Sequence, residues 1–133
     1  MFVDASAIVA ILAREPGHES LLARLRDSAV RLTSGVAIYE AVLAVARIQK
    51  IEPKVAEGVV SSFLEAAGLA LVPITGVETQ LATAAHARFG KGRHPARLNL
   101  GDCFAYACAQ VHGVPLLFIG EDFPQTDIRS ALA

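Results

Sequence analysis

Short apolar runs alternate with longer runs of helical period from one end of the chain to the other. Phe2–Asp4 reads as a strand, and Ala5–Ala13 as a helix stopped by Glu15-Pro16-Gly17. A second helix is predicted over about His18–Ser28. Arg31–Thr33 reads as a short strand, and Ser34 as the N-cap of a helix that carries Glu40 and reaches about Gln49. Pro53 suits the first position of the next helix, which runs to Ala67 before Gly68. Ala70–Ile74 reads as a strand and Val77–Phe89 as a helix. Gly101-Asp102 opens another helix to about His112, closed by Gly113. Leu116–Ile119 is predicted as a buried strand ended by Gly120, with Asp127–Ala131 as a last edge strand. Strands separated by helices predict an α/β fold whose central, mainly parallel sheet is covered on both faces. No repeat, low-complexity tract or linker divides residues 1–133, so a single domain is expected.

Four acids break this pattern, each inside a run that is otherwise almost wholly apolar. They are Asp4 in MFVDASAIVAIL, Glu40 in VAIYEAVLAVA, Asp102 in LNLGDCFAYACA and Asp122 in PLLFIGEDF. A lone carboxylate in such surroundings costs several kcal/mol unless a cation or hydrogen bonds offset it. Each has an ordinary alternative taken singly: Asp4 as a helix cap, Asp102 as a cap or first-turn acid, Asp122 as a turn residue beside Glu121. Glu40 has less excuse, because Val36, Ala37, Leu43 and Ala44 surround it on its helix and turn it inward. In parallel α/β sheets the helices start where the strands end, and sites form at that edge. All four acids are predicted to converge there on a cation.

Composition narrows the classes. Apolar residues make up 53% of the 133 residues, charged residues 19%, and the formal net charge is −1. Disorder, coiled coil and disulfide scaffold are poor readings of such a chain. No apolar stretch reaches the roughly 18–20 residues of a membrane span, and no basic leader precedes Phe2. Cys103 and Cys108, five apart on different faces of a helix, make neither a zinc pair nor an evident disulfide. Reduced, buried thiols in a cytoplasmic protein are expected.

Charge is nonetheless uneven. Arg88, Lys91, Arg93 and Arg97, with His86 and His94, fall in an acid-free stretch that leads into the Asp102 segment. It reads either as a solvated surface loop or as a patch that guides phosphates.

A carboxylate set with no accompanying His–Cys set selects a hard cation, Mg²⁺ or Mn²⁺. Such an ion polarises a phosphoryl oxygen and helps to generate hydroxide, which suits phosphodiester hydrolysis. Ser6 stands where it can hydrogen-bond a carboxylate or a metal-bound water. Asn99 and Thr126 are weaker supporting candidates, and the role of Glu121 is open.

VDASAIVAIL, the inward Glu40, LNLGDCFAYACA and LLFIGEDFPQTDI together resemble the PIN-domain ribonucleases, specifically the VapC-type toxins of prokaryotic toxin–antitoxin pairs. The resemblance covers essentially the whole chain, with the segments in the family's order. It implies a three-layer α/β/α fold and a Mg²⁺-dependent endoribonuclease acting on RNA. It also implies a homodimer and a cognate VapB-type antitoxin, and it carries the acidic set onto Asp4, Glu40, Asp102 and Asp122 with Ser6 as helper. Glu121 departs from the neutral residue or Asp often found there. The apolar helices near Leu21–Leu25 and Val59–Leu64 are candidate dimer surfaces. Two other uses of the fold stay open: a nuclease of RNA processing, and a non-catalytic PIN-like binding module. A phosphoacceptor receiver domain fits poorly, since Asp4 lacks an acidic partner beside it and no lysine follows Lys91.

Overall fold

A computed structural model describes residues 1–133, with four short parallel strands set among six α-helices. The strands are β1 (Phe2–Val3), β2 (Leu32–Ser34), β3 (Ala70–Val72) and β4 (Leu116–Leu117), in the order β3-β2-β1-β4. The helices are α1 (Ala5–Leu12), α2 (His18–Arg26), α3 (Gly35–Gln49), α4 (Pro53–Ala67), α5 (Gly76–Phe89) and α6 (Leu100–His112). The fold is the expected α/β architecture around a parallel sheet.

The chain steps from β1 to β2 to β3 in one direction, then returns past β1 to β4. Right-handed crossovers therefore put α1–α4 on one face and α5–α6 on the other. The packing agrees: α1 lies on α2 and α3, α3 on α4, and α5 on α6. Strand direction of travel reverses between β1 and β4, which makes a crevice at their carboxyl ends. β1 is fully buried because it has a strand on each side and helices above and below.

Local chemistry sets the helix starts. Ser34 ends β2 and caps α3, its hydroxyl accepting from the Ala37 amide at 3.2 Å. Thr75 with Glu78, and Asn99 with Asp102, form reciprocal capping boxes at α5 and α6. Gly68 and Gly113 close α4 and α6 in the left-handed conformation.

The structure corrects several expectations at element ends. Asp4 lies outside β1 and caps α1 instead. Ile74, Phe118 and Ile119 lie beyond the strands, and Asp127–Ala131 forms no strand, only a bridge between Leu116 and Ser130. An unpredicted 3₁₀ turn spans Phe123–Gln125, where Pro124 has no amide to donate. Leu21, Leu25 and Val60 are core residues, while Leu22, Val59 and Leu64 pack against the core and stay partly exposed. Cys103 and Cys108 are buried free thiols, each pushed by burial up to about 11. No helix is long and apolar enough to cross a membrane.

Candidate functional site

Asp4 leaves β1 at the sheet's carboxyl edge and is only 4% exposed. Its Oδ2 accepts from the Ser6 amide at 3.1 Å and the Ser6 hydroxyl at 2.6 Å. The same hydroxyl accepts from the Ile119 amide at 3.1 Å, which ties the carboxylate to the chain just past β4. Glu40 reaches the same edge from the second turn of α3. Its carboxylate lies against the α-carbon of Gly101, where any side chain would overlap it. Asp102 is the third residue of α6. Its Oδ2 accepts from the Asn99 amide at 3.1 Å, and its own amide donates to Asn99 Oδ1 at 2.9 Å.

Asp4, Ser6, Glu40, Asn99 and Asp102 line one pocket of about 360 Å³. Its electrostatics are those of crowded, partly desolvated anions. Burial raises the Asp4 carboxyl, against the pull of the Ser6 hydrogen bonds. Glu40 is pushed up to about 7 by burial and then by the charges of Asp4 and Asp102. Asp102 is pushed up to about 6 by burial, opposed by the Asn99 amide and reinforced by Asp4 and Asp122.

The remaining candidates lie outside the pocket. Asp122, on the loop after β4, is exposed and acts on Asp102 through its charge. Glu121 is exposed, and its carbonyl accepts from Gln125. The Thr126 hydroxyl donates to the Phe123 carbonyl at 2.7 Å and accepts from the Ile128 amide, so it serves its own turn.

One acid of the pocket escapes sequence reasoning. Glu15 also lines it, yet sits in a polar helix-stop segment where nothing marks it. Arg14 takes a left-handed φ of 52°, and the Glu15 amide donates back to the Ala10 carbonyl at 2.9 Å. That turn brings Glu15 to the wall of the pocket.

The basic residues separate into two groups. Arg88 pairs with Asp127 at 3.3 Å and lies 4.6 Å over the Phe89 ring. Lys91, Arg93 and Arg97 rim a hollow of about 540 Å³ together with His94. The loop is ordered by its own backbone, with Lys91 donating to Leu98 and Leu98 to Phe89, both at 3.0 Å.

All donors in the acidic pocket are oxygens, which fits a hard divalent cation. No group of three or more His, Cys, Asp or Glu side chains stands at ligand spacing. Free carboxylates hold apart by repulsion, and Mg²⁺ commonly takes one or two of them directly and the rest through its waters. The residues present suit such a hydrated ion.

The PIN domain family model matches residues 1–129. A VapC ribonuclease of Rhizobium meliloti is 44% identical, with 96% of this chain and 98% of that protein aligned. A ribonuclease VapC of Mycolicibacterium smegmatis is also 44% identical, over 98% of each chain. Among solved structures, the VapC20 toxin of Mycobacterium tuberculosis, described as cleaving the sarcin–ricin loop, superposes with a TM-score of 0.73. It covers 96% of this chain and 95% of its own at 16% identity, a likeness of fold. The chain belongs to the PIN-domain family, among its VapC ribonucleases.

Proposed function

We propose that this protein is a divalent-metal-dependent endoribonuclease, the toxin of a VapBC-type pair, hydrolysing phosphodiester bonds in RNA at the Asp4–Glu40–Asp102 pocket. One observation carries the reading: three carboxylates from separate elements line a single pocket, and each is harder to ionise there than in water. Such a set is poised for positive charge.

Asp4, Glu40 and Asp102 would hold Mg²⁺ or Mn²⁺, with Asp122 adding negative charge from outside the pocket. The ion supplies polarisation of a phosphoryl oxygen and activation of the attacking water. Ser6 fixes the Asp4 carboxylate, and Asn99 fixes the start of α6 and with it Asp102. Lys91, Arg93 and Arg97 hold flanking phosphates of the polyanion. With Asp4, Glu40, Asp102 and Asp122 all present, a non-catalytic binding module has no feature in its favour.

The partner is a VapB-type antitoxin that places an Arg or Lys among the carboxylates through charge-assisted hydrogen bonds. Tyr39, Leu43, Ile48 and Val55 expose apolar surface on and around α3 and α4, which suits a protein contact of this kind. The protein acts in the cytoplasm as a homodimer, where its buried thiols stay reduced.

RNA cleavage by purified protein tests the reading. EDTA should abolish it and excess Mg²⁺ or Mn²⁺ restore it, and Asp102→Asn should lower the rate by orders of magnitude with the fold intact. Folded Asp102→Asn protein that cleaves as fast as wild type would remove the proposed site.

A further inference from the structure

Beside the acidic pocket, a groove of about 520 Å³ lies between α5 and the entry to α6, and Asn99 lines both. Its walls are largely apolar, from Ala82, Leu98, Leu100 and Phe104. Thr79 and Thr83 face it too, but their hydroxyls donate to the Thr75 and Thr79 carbonyls one turn back. Lys91 stands on the side of the basic loop, and no Asp or Glu lines the groove.

Leu100 is the conspicuous member. It is the first residue of α6, 69% exposed, between the cap Asn99 and the Gly101 that abuts Glu40. An open aliphatic side chain between Asn99 and Asp102, both of which line the acidic pocket, finds no cover within its own chain.

An RNA whose phosphodiester lies at the carboxylates continues on both sides of the pocket, and one way out passes Asn99. The next base is a flat ring with apolar faces, and the next phosphate calls for a cation. The surface supplies these in sequence: acidic pocket, Asn99, apolar groove, Lys91. We propose that the groove receives the nucleobase beside the scissile phosphate, packed against Leu100 and Phe104, with Lys91 at the following phosphate. This rests on the RNA-cleaving reading above. Continuity favours a nucleotide as occupant, because Asn99 is shared by the acidic pocket and the groove, so a chain held at the carboxylates by one phosphodiester meets the apolar wall and then Lys91.

The test separates base from backbone, and binding from cleavage. In the Asp102→Asn background, a short RNA and an abasic RNA of the same length carry the same charge. Fluorescence anisotropy should show the RNA with bases binding more tightly, by about tenfold for one buried base. Adding Leu100→Ser, or Thr83→Met to fill the groove without adding charge, should shrink that preference while leaving the affinity for abasic RNA within about twofold. Both positions are exposed, so the fold persists. A preference unchanged by both variants overturns the proposal, as does an equal loss for both RNAs. A changed oligomeric mass by light scattering, with RNA preference intact, would assign the groove to a second copy instead. Failure of wild-type protein to cleave any RNA would count against the functional reading and leave the anisotropy result to judge the groove.

Discussion

A methyl group at position 101 would overlap the Glu40 carboxylate, and the atoms it meets are the free end of a flexible side chain. Relief is therefore simple: Glu40 swings out of the pocket and the helices stay packed. Ala for Gly inside a helix ordinarily gains up to about 1 kcal/mol. Gly101→Ala should accordingly melt at or above the wild-type temperature in EDTA while RNA cleavage falls by roughly a hundredfold through misplacement of one carboxylate. Melting far below wild type would mean that the contact is packing and that Gly101 does not serve Glu40. Ser6 is the opposite case, a side chain with two obligations. Its hydroxyl donates to Asp4 and accepts from Ile119, so it is a structural strut of the site as well as a polar neighbour.

At the scale of elements, helices are far more legible in the sequence than strands. Caps and punctuation are local, so Ser34, Pro53, Gly68 and Gly113 mark helix ends to within a residue or so. Strand ends depend on which neighbour continues the ladder. Phe118 continues the apolar run past β4 but leaves the sheet to pack on Phe123, with ring centroids 5.0 Å apart. Asp127 sits in what reads as an edge strand, yet it accepts from the Tyr106 hydroxyl at 2.6 Å and pairs with Arg88, partners invisible from its neighbours. The pocket follows the same logic. Asp4, Glu40 and Asp102 are legible because each is an acid in apolar company, whereas Glu15 hides among polar residues at a helix end. Arg88 is spent on Asp127 and Phe89, which leaves Lys91 and Arg93 as the better probes of phosphate contact. Replacing both with alanine should weaken RNA binding and flatten its logarithmic salt dependence by roughly 0.7 per lost phosphate contact. An unchanged slope would make the segment an ordinary solvated loop.

For the molecule as a whole, the pocket should govern how stability varies with pH. Glu40 and Asp102 have folded values of about 7 and about 6, above their ordinary 4.5 and 3.8. The metal-free native state therefore holds more protons than the unfolded chain between those limits, and stability falls as pH rises from 3.8 to about 7. Glu78 and Asp127 are shifted downward, so their contribution is lost only as pH falls below the ordinary carboxylate range and does not offset this window. Melting in EDTA should decline from pH 5 to pH 7.5, by a few kcal/mol at most after solvent screening of half-exposed groups. Millimolar Mg²⁺ should flatten the decline, since it binds the ionised native state, and Asp102→Asn should show a smaller decline and a smaller Mg²⁺ response. A flat profile in EDTA would mean that the carboxylates do not burden one another. The bond from Ile119 to Ser6 joins residues 113 apart in sequence, and β1 pairs with β4 across nearly the same span. Contacts of such separation carry a large loop-closure cost and form late. A chain that has not yet folded through α6 and β4 has Asp4 from the outset but nothing to brace it, so the pocket is assembled only once those distant segments are in place.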